Sequence, residues 1–131
     1  AVINADIKEV LSRVKPNTVK LDQLVDEAIK WKVELDAENI GFAVASRLYD
    51  MVDQLAYKVD DLQHLDTLSH LLIKLNELKL KFRLWKIQNK YFRIGKDFIG
   101  NDKFMKSLGD QEYKKWLLKF KAVGEQLNIR F

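Results

Sequence analysis

The chain contains no cysteine, a single proline and only five glycines in 131 residues. Without cysteine, disulfide staples, thiolate chemistry and cysteine-built zinc sites are excluded, and the composition suits a reducing compartment. So little proline and glycine leaves few turn-formers, which argues against a many-turned β-sandwich and for long regular elements with short connections. No apolar run approaches the roughly 18 residues needed to cross a bilayer. The first residues, Ala1 to Asp6, lack the basic and apolar regions of a signal peptide. These absences lead to the expectation of a cytoplasmic chain with no membrane partner, with removal of a leader or excision from a larger protein left open.

What is present is globular in character. Hydrophobic residues make up 47% of the chain and charged residues 32%, too apolar for disorder, and the length is that of one domain spanning residues 1–131. The net charge of +4 is unevenly spread. Residues 1–69 carry 8 Lys/Arg against 13 Asp/Glu, a net of −5, whereas residues 70–131 carry 15 against 6, a net of +9. Such a division suits an anionic partner for the basic half or mutual neutralisation of the halves within one fold, and the second reading is the simpler one.

Apolar spacing is helical nearly throughout. Ile7, Val10, Leu11 and Val14 predict a helix from about Asp6 to Val14, capped by Asn4 and stopped by Pro16. Asn17 and Thr18 open a second, with Leu21, Leu24, Val25, Ala28 and Ile29 on one stripe. Asp36 opens a third, from roughly Ala37 to Lys58, in which Gly41, Ala43 and Ala45 would let a neighbouring helix approach closely. Asp60 or Asp61 caps a fourth, seamed by Leu62, Leu65, Leu68, Leu72, Leu75 and Leu78. From Leu78 to Leu84 apolar and basic residues alternate. With no second strand pattern to pair with, this reads as an extended connection or a helix break. A helix from Leu84 to Ile94 with Gly95 as its stop, a short one from Asp102 to Leu108, and a last one from Gln111 to Leu127 capped by Asp110 complete the chain. The fold class is therefore all-α, an irregular bundle of five to six amphipathic helices.

Catalytic patterns are missing. The glycines form no phosphate loop or dinucleotide fingerprint, and Ser12, Ser46, Ser69 and Ser107 sit in no nucleophile elbow. His64 and His70 are six apart, about 240° around a helix, so they cannot share a metal through it. His64 is read as an exposed residue near a helix start. The carboxylates read as caps and solvated faces. No catalytic residue, metal site or cofactor is expected, and no catalytic activity in this chain itself. The conspicuous feature is basic: Lys79, Arg83, Lys86, Lys90 and Arg93 recur at intervals of 4, 3, 4 and 3, interleaved with Phe82, Trp85, Tyr91 and Phe92. On a continuous helix these cations would form one anion-binding stripe. Such a stripe suits nucleic acid, where charge holds phosphates and rings stack on bases, or an acidic protein; the simpler alternative is a solvated helix face.

Within residues 82–92, Leu84-Trp85, Gln88-Asn89 and Tyr91-Phe92 form a Leu-Trp-x-x-Gln-Asn-x-aromatic-aromatic pattern. It resembles one in the C-terminal helical domain of α-amylase/α-mannosidase-like proteins related to glycoside hydrolase family fifty-seven. The motif covers about a tenth of the chain, and Lys81 stands where that pattern has a proline. The resemblance implies a non-catalytic accessory or interaction domain of a carbohydrate-active protein, partnered by another domain of the same polypeptide or by a separate protein. It carries over no catalytic residue, because the chemistry of that family belongs to a separate barrel. Trp85, Gln88 and Asn89 match the motif at i, i+3 and i+4, on one helical face, where a ring and two amides could hold a sugar. The plainer reading makes Trp85 a core residue and lets the amides satisfy nearby backbone groups.

Overall fold

The computed structural model describes residues 2–131. Among these it contains seven helices and no strand: α1 (Val2–Ser12), α2 (Thr18–Lys30), α3 (Ala37–Tyr57), α4 (Leu62–Asn76), α5 (Trp85–Phe98), α6 (Asp102–Leu108) and α7 (Asp110–Gln126). The all-α class holds, with a helix count just above the five to six expected.

Helix starts follow side-chain capping. Asn17, Asp36, Asp61 and Asn101 each accept a hydrogen bond from the backbone N–H three residues on, at Lys20, Asn39, His64 and Phe104, over 2.9–3.2 Å. Each satisfies one of the amides a helix start leaves free. The Asp36 carboxyl also accepts from the Asn39 side chain, which holds it below the usual carboxylate range.

Three expectations at helix ends are corrected. Asn4 does not cap α1, which already begins at Val2. Instead its Oδ1 accepts from the Asp36 N–H at 2.7 Å and its Nδ2 donates to the Glu34 carbonyl at 3.3 Å, tying α1 to the α2–α3 connection. α1 stops at Ser12, short of Val14, because Arg47 of α3 donates to the Leu11 and Ser12 carbonyls at 2.7 and 3.0 Å and closes the helix there. At α7, Gly109 (φ +84°) is the cap, and Asp110 is the first helical residue, its carboxylate at the positive end of the helix.

Gly95 supplies the fourth correction. It lies inside α5, not beyond it, and a Cβ there would come within 2.1 Å of Cε1 of Phe131. The residue is small because an aromatic ring occupies its side-chain position. Gly124 of α7 faces the same ring, its Cβ position 3.0 Å from Phe131 Cε2. The two glycines form a slot for Phe131, whose ring also stacks on Phe92. The turn after α5 comes at Gly100, with φ +76°.

α4 packs against α2, α3 and α7 and supplies Leu65, Leu68, Leu71, Leu72 and Leu75 to the core. α7 answers with Tyr113, Trp116, Phe120 and Val123. The buried polar tips are used: Trp116 Nε1 donates to the Val59 carbonyl at 2.8 Å, and the Tyr91 hydroxyl donates to the Phe120 carbonyl at 2.6 Å. Part of the uneven charge is paired within the bundle. Asp22–His70, Asp26–Lys74, Asp53–Lys90 and Asp66–Lys119 all pair a carboxylate of the acidic half with a base of the other.

Candidate binding groove between α3 and α5

The segment 79–84 is outside any helix, and its exposure alternates from residue to residue as the sequence does. Leu80, Phe82 and Leu84 pack on the core while Lys81 and Arg83 are exposed. Phe82 lies over Gly41 of α3, its Cδ1 3.9 Å from where a Cβ would be. The small residues of α3 thus admit this strap. The strap breaks the five-cation stripe. α4 ends at Asn76, Lys79 is left-handed (φ +55°) and α5 begins only at Trp85, so Lys79 and Arg83 do not continue the helical face of Lys86, Lys90 and Arg93.

α5 then runs alongside α3, leaving a groove of three neighbouring depressions, each sharing lining residues with the next. The first joins Ala37, Gly41 and Phe42 of α3 to Lys81 and Arg83 of the strap. The second joins Phe42, Ala45 and Tyr49 to Arg83, Trp85 and Lys86. The third joins Tyr49 and Ala56 to Trp85, Asn89, Lys90 and Arg93. The nineteen helical steps of α3 from Ala37 to Ala56 make the groove about 28 Å long at the rise of 1.5 Å per residue.

Three aromatic rings stand in this groove in contact with solvent: Phe42 is 76% exposed, Trp85 60% and Tyr49 39%. The core reading of Trp85 is therefore corrected. As the first residue of α5 it projects beyond the face that buries Ile87, Tyr91 and Ile94. Gln88 behaves as the plain reading expects, donating to the Leu127 carbonyl at 2.8 Å. Asn89 lines the third depression with Trp85, so the sequence trio divides, two residues to the groove and one to the backbone. Phe42 and Tyr49 were not singled out from the sequence. Their signal is a seven-residue spacing on α3 away from its buried stripe.

The cations differ in their surroundings. Lys90 pairs with Asp53, and its ammonium lies 5.1 Å from the centre of the Tyr49 ring. The hydrogen bond that Lys90 donates to the Asp53 carboxylate, aided by the charge of Asp53 and by Tyr49, raises the Lys90 pKa against the opposing effect of burial. Lys86 lies 5.5 Å over the Trp85 ring. Among the described residues Lys81, Arg83, Lys86 and Arg93 form no ion pair within the chain (all pairs that form involve other cations). Carboxylates are present too, with Glu38, Asp50 and Asp97 on the lining.

Elsewhere the polar groups are structural. His64, expected to be exposed, is half-buried, and its Nε2 donates to the Met51 carbonyl at 2.6 Å. His70 contacts Asp22 on the surface. Among the described residues no three His, Cys, Asp or Glu side chains converge to hold a metal ion, and no helix is long and apolar enough to cross a membrane. The chain matches no protein-family model, no curated protein and no solved structure.

Proposed function

We propose that this chain is a non-catalytic interaction domain that binds its partner along the groove between α3 and α5. The supporting observation is the exposure of Phe42, Tyr49 and Trp85 together in one channel beside cations without an ion-pair partner. Leaving rings of this size in water forgoes their burial, and apolar surface gathered in one place marks interaction sites. Tryptophan, tyrosine and arginine are also the residues that dominate binding energy at interfaces.

The test presents oligosaccharides, single-stranded oligonucleotides and a random peptide library to the chain and to a Phe42→Ala/Trp85→Ala variant whose fold is checked by circular dichroism. The reading expects at least one ligand class to bind the parent chain and to lose about tenfold or more in affinity, over 1.4 kcal/mol, on the double variant. Equal binding by the variant, or binding by nothing in the three classes, overturns it.

A carbohydrate occupant is a second reading, favoured by Asn89 sharing a depression with the exposed Trp85 ring and by the resemblance to the helical domain of family-fifty-seven-related proteins. It expects millimolar oligosaccharide to change tryptophan emission and Trp85→Ala to abolish the change. An unchanged spectrum refutes it.

A further inference from the structure

Resting on the groove reading, we infer that the occupant is an amphipathic helix of a protein partner, with carboxylates along the flank that faces the strap and α5. The groove's floor follows a helical period on α3, through Phe42, Ala45, Tyr49 and Ala56. Its length of about 28 Å matches about five turns of a guest helix, and an apolar helix face seated in a groove is a recurring mode of recognition.

Charge selects the guest's flank. Arg83 stands at the strap edge, and Lys86 and Arg93 follow along α5. The last two are seven residues apart, about 10 Å along the axis, so acids spaced by a heptad on a parallel guest meet both. Two observations turn the choice away from nucleic acid. Lysine ammoniums already lie over the faces of Trp85 and Tyr49 on which bases would stack. The carboxylates of Glu38, Asp50 and Asp97 line the same channel, where a run of phosphates would be repelled but a helix carrying both signs is accommodated.

The experiment is selection of a displayed library of random 20-residue peptides on the intact chain. In parallel, binding of a 20-nucleotide oligothymidine is measured across a salt series. The expected winners carry apolar residues at i, i+3 or i+4, and i+7, with an excess of Asp and Glu on one flank. Their affinity falls about tenfold or more on Arg83→Glu/Lys86→Glu, and selection on that variant enriches Lys and Arg instead. Both positions are exposed, and an acid in the first turn of α5 favours the helix, so the variant retains the fold; circular dichroism checks this. Winners that need Phe42 and Trp85 but carry no acidic excess, and that ignore the charge reversal, overturn the inference and leave the groove reading standing. Winners that ignore both variants overturn both. Salt-sensitive oligothymidine binding lost on charge reversal, without groove-dependent peptides, overturns the inference in favour of nucleic acid.

Discussion

Replacing Gly95 by alanine sets two effects of opposite sign against each other at one atom. In an exposed helix interior the change gains about 1 kcal/mol from propensity. Here the new methyl would lie 2.1, 2.5 and 2.9 Å from three ring atoms of Phe131, distances no relaxed contact allows. The backbone of α5 is held by Ile87, Tyr91 and Ile94 in the core, so the ring leaves the slot. A mostly buried phenylalanine contributes about 2 kcal/mol, and the loss includes its contacts with Phe92, Tyr91 and Phe120. Gly95→Ala is therefore expected to destabilise by about 1 kcal/mol, the difference of these terms. Phe131→Ala alone costs about 2 kcal/mol. In that background the slot is empty, and Gly95→Ala should stabilise by about 1 kcal/mol. The assay is urea denaturation of the four proteins of the cycle, with coupling of about 2 kcal/mol as the readout. A Gly95→Ala change with the same sign in both backgrounds refutes the slot.

Three other outcomes are expected. Burial raises the Tyr91 pKa well above its ordinary value, so above pH 10 the unfolded chain loses a proton that the native one keeps. Stability then falls by about 1.4 kcal/mol per pH unit, and Tyr91→Phe should remove that part of the slope in urea titrations between pH 9 and 11.5; an unchanged slope counts against it. Lys74 and Lys90, raised by their carboxylate partners, act in the same direction from above pH 10.5 and remain in the variant. Lys79, left-handed at φ +55°, should gain about 1 kcal/mol in thermal stability on substitution by glycine, and a loss would mean its side chain contributes more than its backbone costs. Arg47→Met should cost about 2 kcal/mol, since the Leu11 and Ser12 carbonyls lose their donors, and hydrogen exchange should show α1 opening first. Protection of α1 at parent levels would contradict the capping role.

Several helix boundaries that depend on neighbouring residues are legible in the sequence. Asn101 and Gly109 bracket α6 at Asp102–Leu108 as read, and the alternation after Leu78 does mark a strap. Two of the misreadings arise where a distant group decides. The end of α1 depends on a guanidinium 35 residues on, and the role of Gly95 depends on a ring 36 residues on. Local periodicity holds no trace of either. The groove was half legible. Trp85, Asn89 and the cations of α5 stood out as a motif. Phe42 and Tyr49 did not, because aromatic residues in an amphipathic helix are ordinarily assigned to the core. Whether a ring is covered depends on which helix arrives beside it, and here the strap holds α5 far enough along α3 to leave the rings uncovered.

That strap also divides the chain into two helical runs. Lys81 and Arg83 are exposed there, outside any helix, and are the residue types after which trypsin cuts. A cut there leaves α1–α4 on one fragment and α5–α7 on the other, joined by the leucine seam of α4 against α7 and by the ion pairs Asp53–Lys90 and Asp66–Lys119. Such a cut would put α3 and α5, the two walls of the groove, on different fragments, so that anything seated in the groove would also hold the halves together.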